Sequence, residues 1–244
     1  MKKFVFILVG LALISCSNDE AVAPVKKKSV VTEIKTPDGQ YNFSYDPSGN
    51  FVKSNYVEGV ESFEYKMSWN SDSTVLTKTQ FHVNANTQTG VSIFKFNSDS
   101  TLAEFIHEVF NEYKAVYSFS YTGVKLSAMA ISENDGETDN IIVEWTNDTN
   151  LRLTYKDGRA ISFSYVSTDS PFLTSGSPEV VATLMDLDLP IFHMLSQQEL
   201  RSIDDSIDDI SVNEMTYTVQ NGELKSFTKD GDIFNFIYTD ITIN

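Results

Sequence analysis

Large residues recur at every second position along most of the chain, in short runs broken by polar turns. Tyr41, Phe43 and Tyr45 form one such run, followed by Asp46, Pro47, Ser48, Gly49 and Asn50. Tyr65, Met67 and Trp69 form another, and Phe94 with Phe96 a third; both lead into Asn-Ser-Asp-Ser turns. Tyr117, Phe119 and Tyr121 continue the pattern, as do Val143 with Trp145 and Tyr217 with Val219. Alternate side chains of a strand share one face, so each run predicts a strand with an aromatic face and a polar one. Asp157-Gly158, Asn221-Gly222 and Asp230-Gly231 are tight-hairpin signals, because these residues tolerate the left-handed backbone such turns need. The last two predict a meander over 212–220, 223–229 and 232–239.

About fourteen strands follow, more than a twisted open sheet usually holds, so the sheet must curl or close. The expected fold is all-β: a strongly curved antiparallel β-meander, barrel or half-barrel, with its aromatic face concave and filled. A membrane-spanning barrel is disfavoured, because 61–69 and 74–80 place Glu or Lys where lipid would lie.

A short helical insertion near 177–210 interrupts the alternation. Ser177, Pro178 and Glu179 are a helix start, with Val180, Val181, Leu184 and Leu187 at helical spacing. Asp188-Leu189-Pro190 ends or kinks that helix. Ser196 and Glu199 have capping-box spacing, and Leu200, Ile203, Ile207 and Ile210 predict a second helix behind them. Packing as a plug in the concavity is the expected role, with a movable lid as the alternative.

The first residues carry an address. Lys2 and Lys3 precede an apolar run, Phe4 to Ile14, too short to span a bilayer but suited to a secretory signal. Leu13-Ile14-Ser15-Cys16 resembles the lipobox of bacterial lipoproteins. That resemblance implies a signal peptide over 1–15, acylation of Cys16, and a flexible tether over 16–35 ahead of one β domain over 36–244. Cys16 is the only cysteine, so no intrachain disulfide competes for it. Ser17-Asn18-Asp19-Glu20 resembles the acidic export signal of surface lipoproteins in the Bacteroidota. The expected location is therefore the outer membrane, lipid-anchored and exposed at the cell surface.

These features together resemble a domain-of-unknown-function family of Bacteroidota lipoproteins with a porin-like β fold. They are the lipobox, the short linker, the hairpin from Tyr41 to Gly49 and the late apolar insertion. The resemblance covers roughly residues 36–244 and brings no catalytic residues.

Charge and candidate chemistry narrow the function. The chain has 34 Asp and Glu against 18 Lys and Arg, a net charge of −16, which argues against a nucleic-acid partner. His82, His107 and His193 have no metal-site spacing, and no nucleophile or phosphate-loop motif occurs. No catalytic residue, metal or cofactor is expected. Trp69 and Trp145 are the candidate ligand-binding residues, as an aromatic platform, although core packing is the commoner role of such side chains. Ser73, Ser100 and Ser206 each follow an aspartate in a pattern resembling the O-glycosylation signal of exported Bacteroidota proteins. The leading expectation is a non-enzymatic binding or structural module attached to the membrane, with a glycan or another envelope protein as partner. A surface glycan-binding accessory protein is the alternative, and a carboxylate-based hydrolase the third reading.

Overall fold

The computed structural model describes residues 26–134, 136–172, 178–184, 195–205, 212 and 214–243. Among them sixteen strands form one antiparallel sheet. In chain order they are β1 (Lys26–Lys35), β2 (Gln40–Tyr45), β3 (Phe51–Glu58), β4 (Glu61–Trp69), β5 (Val75–His82), β6 (Thr87–Phe96), β7 (Leu102–Val109) and β8 (Tyr113–Thr122). There follow β9 (Lys125–Ser132), β10 (Thr138–Trp145), β11 (Asn150–Thr154), β12 (Ala160–Asp169), β13 (Gln198–Asp205), β14 (Met215–Gln220), β15 (Glu223–Lys229) and β16 (Asp232–Ile243). A single described helix, α1 (Pro178–Leu184), lies between β12 and β13.

Strands β1 to β13 pair with their chain neighbours, while β14, β15 and β16 wrap round to the other side of β1. Lys26 pairs with Ile243 and Lys35 with Asn235. The remaining edges, β13 and β14, meet without a continuous ladder. Side chains bridge them instead: the Tyr217 hydroxyl donates to the Leu200 carbonyl at 2.8 Å. The Arg201 guanidinium reaches the Met215 carbonyl at 3.4 Å, and an isolated bridge joins Ile203 to Val212. The result is a nearly closed barrel.

The period of two sets its inside and outside. On β4, Tyr65 and Met67 are buried while Lys66 and Ser68 are exposed. Inward rows run from strand to strand, as in Leu76 opposite Phe94 and Phe94 opposite Phe105. The outer wall carries ion pairs across strands, among them Lys53 with Glu64, Lys95 with Glu104, and Lys114 with Glu108, and Lys66 joins Glu64 along β4 itself. Such exposed pairs add little stability. They do place charge on the outward face of β3, β4, β6, β7 and β8.

Helix α1 fills part of the interior. All of Val180 to Leu184 is buried, and Glu179 lies in its first turn. The helix is fixed by polar contacts from the inward face of three strands. The ammonium of Lys78, on β5, donates to the Ala182 carbonyl at 3.1 Å. Ser54, on β3, meets the Thr183 hydroxyl at 3.1 Å, and Trp69, on β4, donates its indole N–H to Glu179 at 2.7 Å.

Two expectations change. Lys26–Lys35, read as part of the tether, is strand β1, because β16 offers it a ladder along its whole length and Val30, Val31 and Ile34 are buried. The helix expected after Ser196 is instead β13. Leu200 and Ile203 satisfy a strand as well as a helix, and the edge of β12 pairs with them through Tyr165 and Phe163.

Candidate functional site

Antiparallel order gathers alternate turns at one mouth of the barrel. The turns at 46–50, 70–74, 97–101, 123–124, 146–149 and 221–222 lie at the same end, as do the last residue of β12 and the first of β13. A cavity of about 710 Å³ opens among them. Its apolar walls include Trp69, Phe96, Tyr121 and Phe172, with Val181 contributed by α1. Its polar lip includes Asp72, Ser73, Asn97, Ser100 and Thr101. A second cavity of about 430 Å³ adjoins it, lined in part by Lys28, Tyr45, Gly49, Trp69, Ser73 and Glu179. Trp69 and Ser73 line both, so the bond from Trp69 to Glu179 stands between the two spaces.

Local chemistry positions each part. Trp69 and Phe96 end β4 and β6 on the inward face, and their ring centroids lie 5.8 Å apart. Phe172 is fully buried at the base, edge-on to Tyr217 and Phe227 at 5.8 and 5.2 Å. The Tyr121 hydroxyl is buried with no hydrogen-bond partner among the described residues. Burial and then the Asp99 charge push its phenol well above the ordinary tyrosine value. The turn carboxylates are engaged: Asp99 accepts from the Thr101 hydroxyl at 2.7 Å and from its amide at 3.1 Å. These bonds hold its carboxyl below the ordinary aspartate value.

Ser73 and Ser100 sit at the exposed lip with φ of 55° and 67°. Each amide donates to the carbonyl three residues back, Asn70 or Asn97. Gly49 and Gly158 make the same bond in their own turns, at φ of 77° and 89°. The two serines therefore hold a backbone conformation that glycine adopts more easily.

The two tryptophans are not brought together. Trp145 donates its N–H to the Leu126 carbonyl at 2.8 Å and packs on Tyr165 at 5.9 Å, apart from the walls of either cavity. His82 pairs with Glu61 at 2.8 Å, and His107 lies 3.2 Å from the Ser92 hydroxyl. Among the described residues, no group of three His, Cys, Asp or Glu side chains is gathered to hold a metal. Cys16, His193 and Ser206 lie outside the described residues. Phe96, Tyr121, Phe172 and Glu179 escape a sequence reading of the site. Phe96 and Tyr121 do belong to the alternating runs, and their place at strand ends beside polar turns was the available signal.

Neither a family model nor a curated protein matches the chain. Among solved structures it is similar to a porin-like protein from Bacteroides uniformis, at 14% identity and a TM-score of 0.46, covering 86% of this chain and 96% of that one. It is also similar to a porin-like protein from Bacteroides vulgatus, at 10% identity and a TM-score of 0.47, covering 86% and 98%.

Proposed function

We propose that this chain is a non-enzymatic lipoprotein of the outer membrane, anchored through Cys16 and displayed at the cell surface, whose barrel is a rigid binding module. The observation that carries the reading is the packed interior. Helix α1 and the aromatic rows occupy the barrel, and open space of ligand size lies at the mouth beside Trp69. A cavity of this volume, with apolar walls and a few polar groups at its lip, suits a small-molecule or side-chain ligand. The anchor is tested by acyl labelling of the native chain and of Cys16→Ala, followed by protease shaving of intact cells. Label in Cys16→Ala, or full protection from protease, would count against the reading.

A neutral carbohydrate is the second reading for the cavity. Aromatic walls below hydroxyl, amide and carboxylate groups suit sugar rings, and no Lys or Arg is among the described residues lining the larger space. The chain has two tryptophans, so Trp145→Phe leaves Trp69 as the sole indole reporter. Its emission should change saturably with at least one member of a neutral oligosaccharide panel, and Phe96→Ala should abolish the change. Silence across the panel would remove this reading. Glycan carried by Ser73, Ser100 or Ser206 is a separate proposal, supported for the first two by their exposure at the lip. An intact mass from the native host equal to protein plus lipid would dispose of it.

A further inference from the structure

The chain enters the barrel at the cavity mouth. β1 begins at Lys26, paired with Ile243 near the end of β16. The Lys28 ammonium donates to the Gly49 carbonyl, in the turn at 46–50, at 2.7 Å. Lys28 and Ser73 line the same small cavity, which fixes the start of β1 beside the turns that carry Trp69.

Residues 17–25 separate Cys16 from Lys26. Fully extended, that stretch reaches about 35 Å. As a coil it averages about 16 Å. The far mouth lies roughly 25 Å beyond the near one, given strands of this length tilted as in a barrel. A lipid on Cys16 therefore holds the cavity end close to the bilayer and leaves the opposite end farther away.

Charge adds an independent reason. Lys26, Lys27 and Lys28 are consecutive and exposed, in a chain of net charge −16. Phosphate headgroups attract such a cluster. The same mouth carries Asp46 beside the lysines, and Asp72, Asp99 and Asp148 on turns farther round, which an anionic surface repels. The lysines thus mark the edge of the mouth that approaches the headgroups, and the turns of Asp72, Asp99 and Asp148 the edge that stands off.

We infer that the cavity mouth is the membrane-facing end of the barrel, and that its partner surface is the phospholipid layer holding the Cys16 anchor. This rests on the anchor proposed above. The experiment uses the acylated full chain in phosphatidylcholine vesicles. Because acylation consumes the only native thiol, Ser98→Cys and Ala85→Cys each supply one free thiol, in exposed turns at opposite ends of β6. Each is labelled with bimane and quenched by headgroup-nitroxide lipid. The expected result is quenching at least about twofold stronger at position 98, given the separation of the two ends of the barrel. Equal or reversed quenching in protein that floats with the vesicles overturns this inference alone. Protein that carries no acyl group and does not float overturns the anchor, and this inference with it.

Discussion

The indole N–H of Trp69 donates to the carboxylate of Glu179 across 2.7 Å, joining residues 110 positions apart and tying the barrel wall to its plug helix. A hydrogen bond to an ionised group contributes about 1.5–3 kcal/mol. Glu179→Ala should lower stability to urea by about that much. In a Trp145→Phe background it should also shift Trp69 emission. Glu179→Gln retains an acceptor and should lose less. Unchanged emission and midpoint in Glu179→Ala would show that the bond does not hold the helix.

Lys78 tests the plug from the other end. It is only 2% exposed, and it satisfies Ala182, one of the carbonyls left free at the end of α1. Lys78→Ala removes the donor and opens a void, which should cost about 3 kcal/mol. Lys78→Met keeps most of the stem and should cost about 2 kcal/mol, the worth of a hydrogen bond from a charged donor. Equal midpoints for the two variants in urea unfolding would refute the distinction.

Alkali should open the barrel through its tyrosines. Burial first, then the charges of Tyr117 and Asp205, push Tyr155 up to about 12, and burial pushes Tyr217 higher still. An unfolded tyrosine titrates near ~10. The folded state thus favours the neutral phenol. Its contribution is fully present below about pH 10 and is lost as the pH rises through the folded value. Tyrosinate absorbance and loss of β-sheet circular dichroism should rise together between about pH 10 and 12. Tyr217→Phe, which removes the bond across the β13–β14 seam, should lower stability at neutral pH by about 1 kcal/mol. Ordinary titration with intact circular dichroism would contradict this account.

The left-handed serines give a stabilising prediction. A non-glycine residue in that region carries a strain of about 1–2 kcal/mol, and glycine gives back part of the relief through unfolded-state entropy. Ser73→Gly and Ser100→Gly should each raise stability by up to about 1 kcal/mol. Measured destabilisation in both would mean that the hydroxyls make contacts that outweigh the strain.

Much of this fold is legible in the sequence because alternation is a local signal. Tyr65, Lys66, Met67 and Ser68 announce inside and outside without reference to any partner. Strand β1 is less legible, since three exposed lysines look like linker until β16 lies beside them. At β13, Leu200 and Ile203 fit two periods, and only the free edge of β12 decides between them. Trp69 is legible as a strand-end aromatic beside a polar turn. Its partner Glu179 is not, because the bond depends on where a helix 110 residues later comes to rest.

The position of β1 also governs the order in which the molecule can be completed. Its second partner, β16, is at the opposite end of the chain, so one edge of the first strand waits until the last has been made. Contacts so distant in sequence form slowly, since the chain must give up a large loop entropy before they reward it. The growing sheet can zip from β1 to β12 by local hairpins and add β13 after the helical insertion, but it remains an unsealed ribbon until residues 215–243 arrive and attach to its oldest edge. A chain cut short before β14 would therefore lose closure as well as three strands, and would expose the flank of β1 as a template for pairing with another molecule.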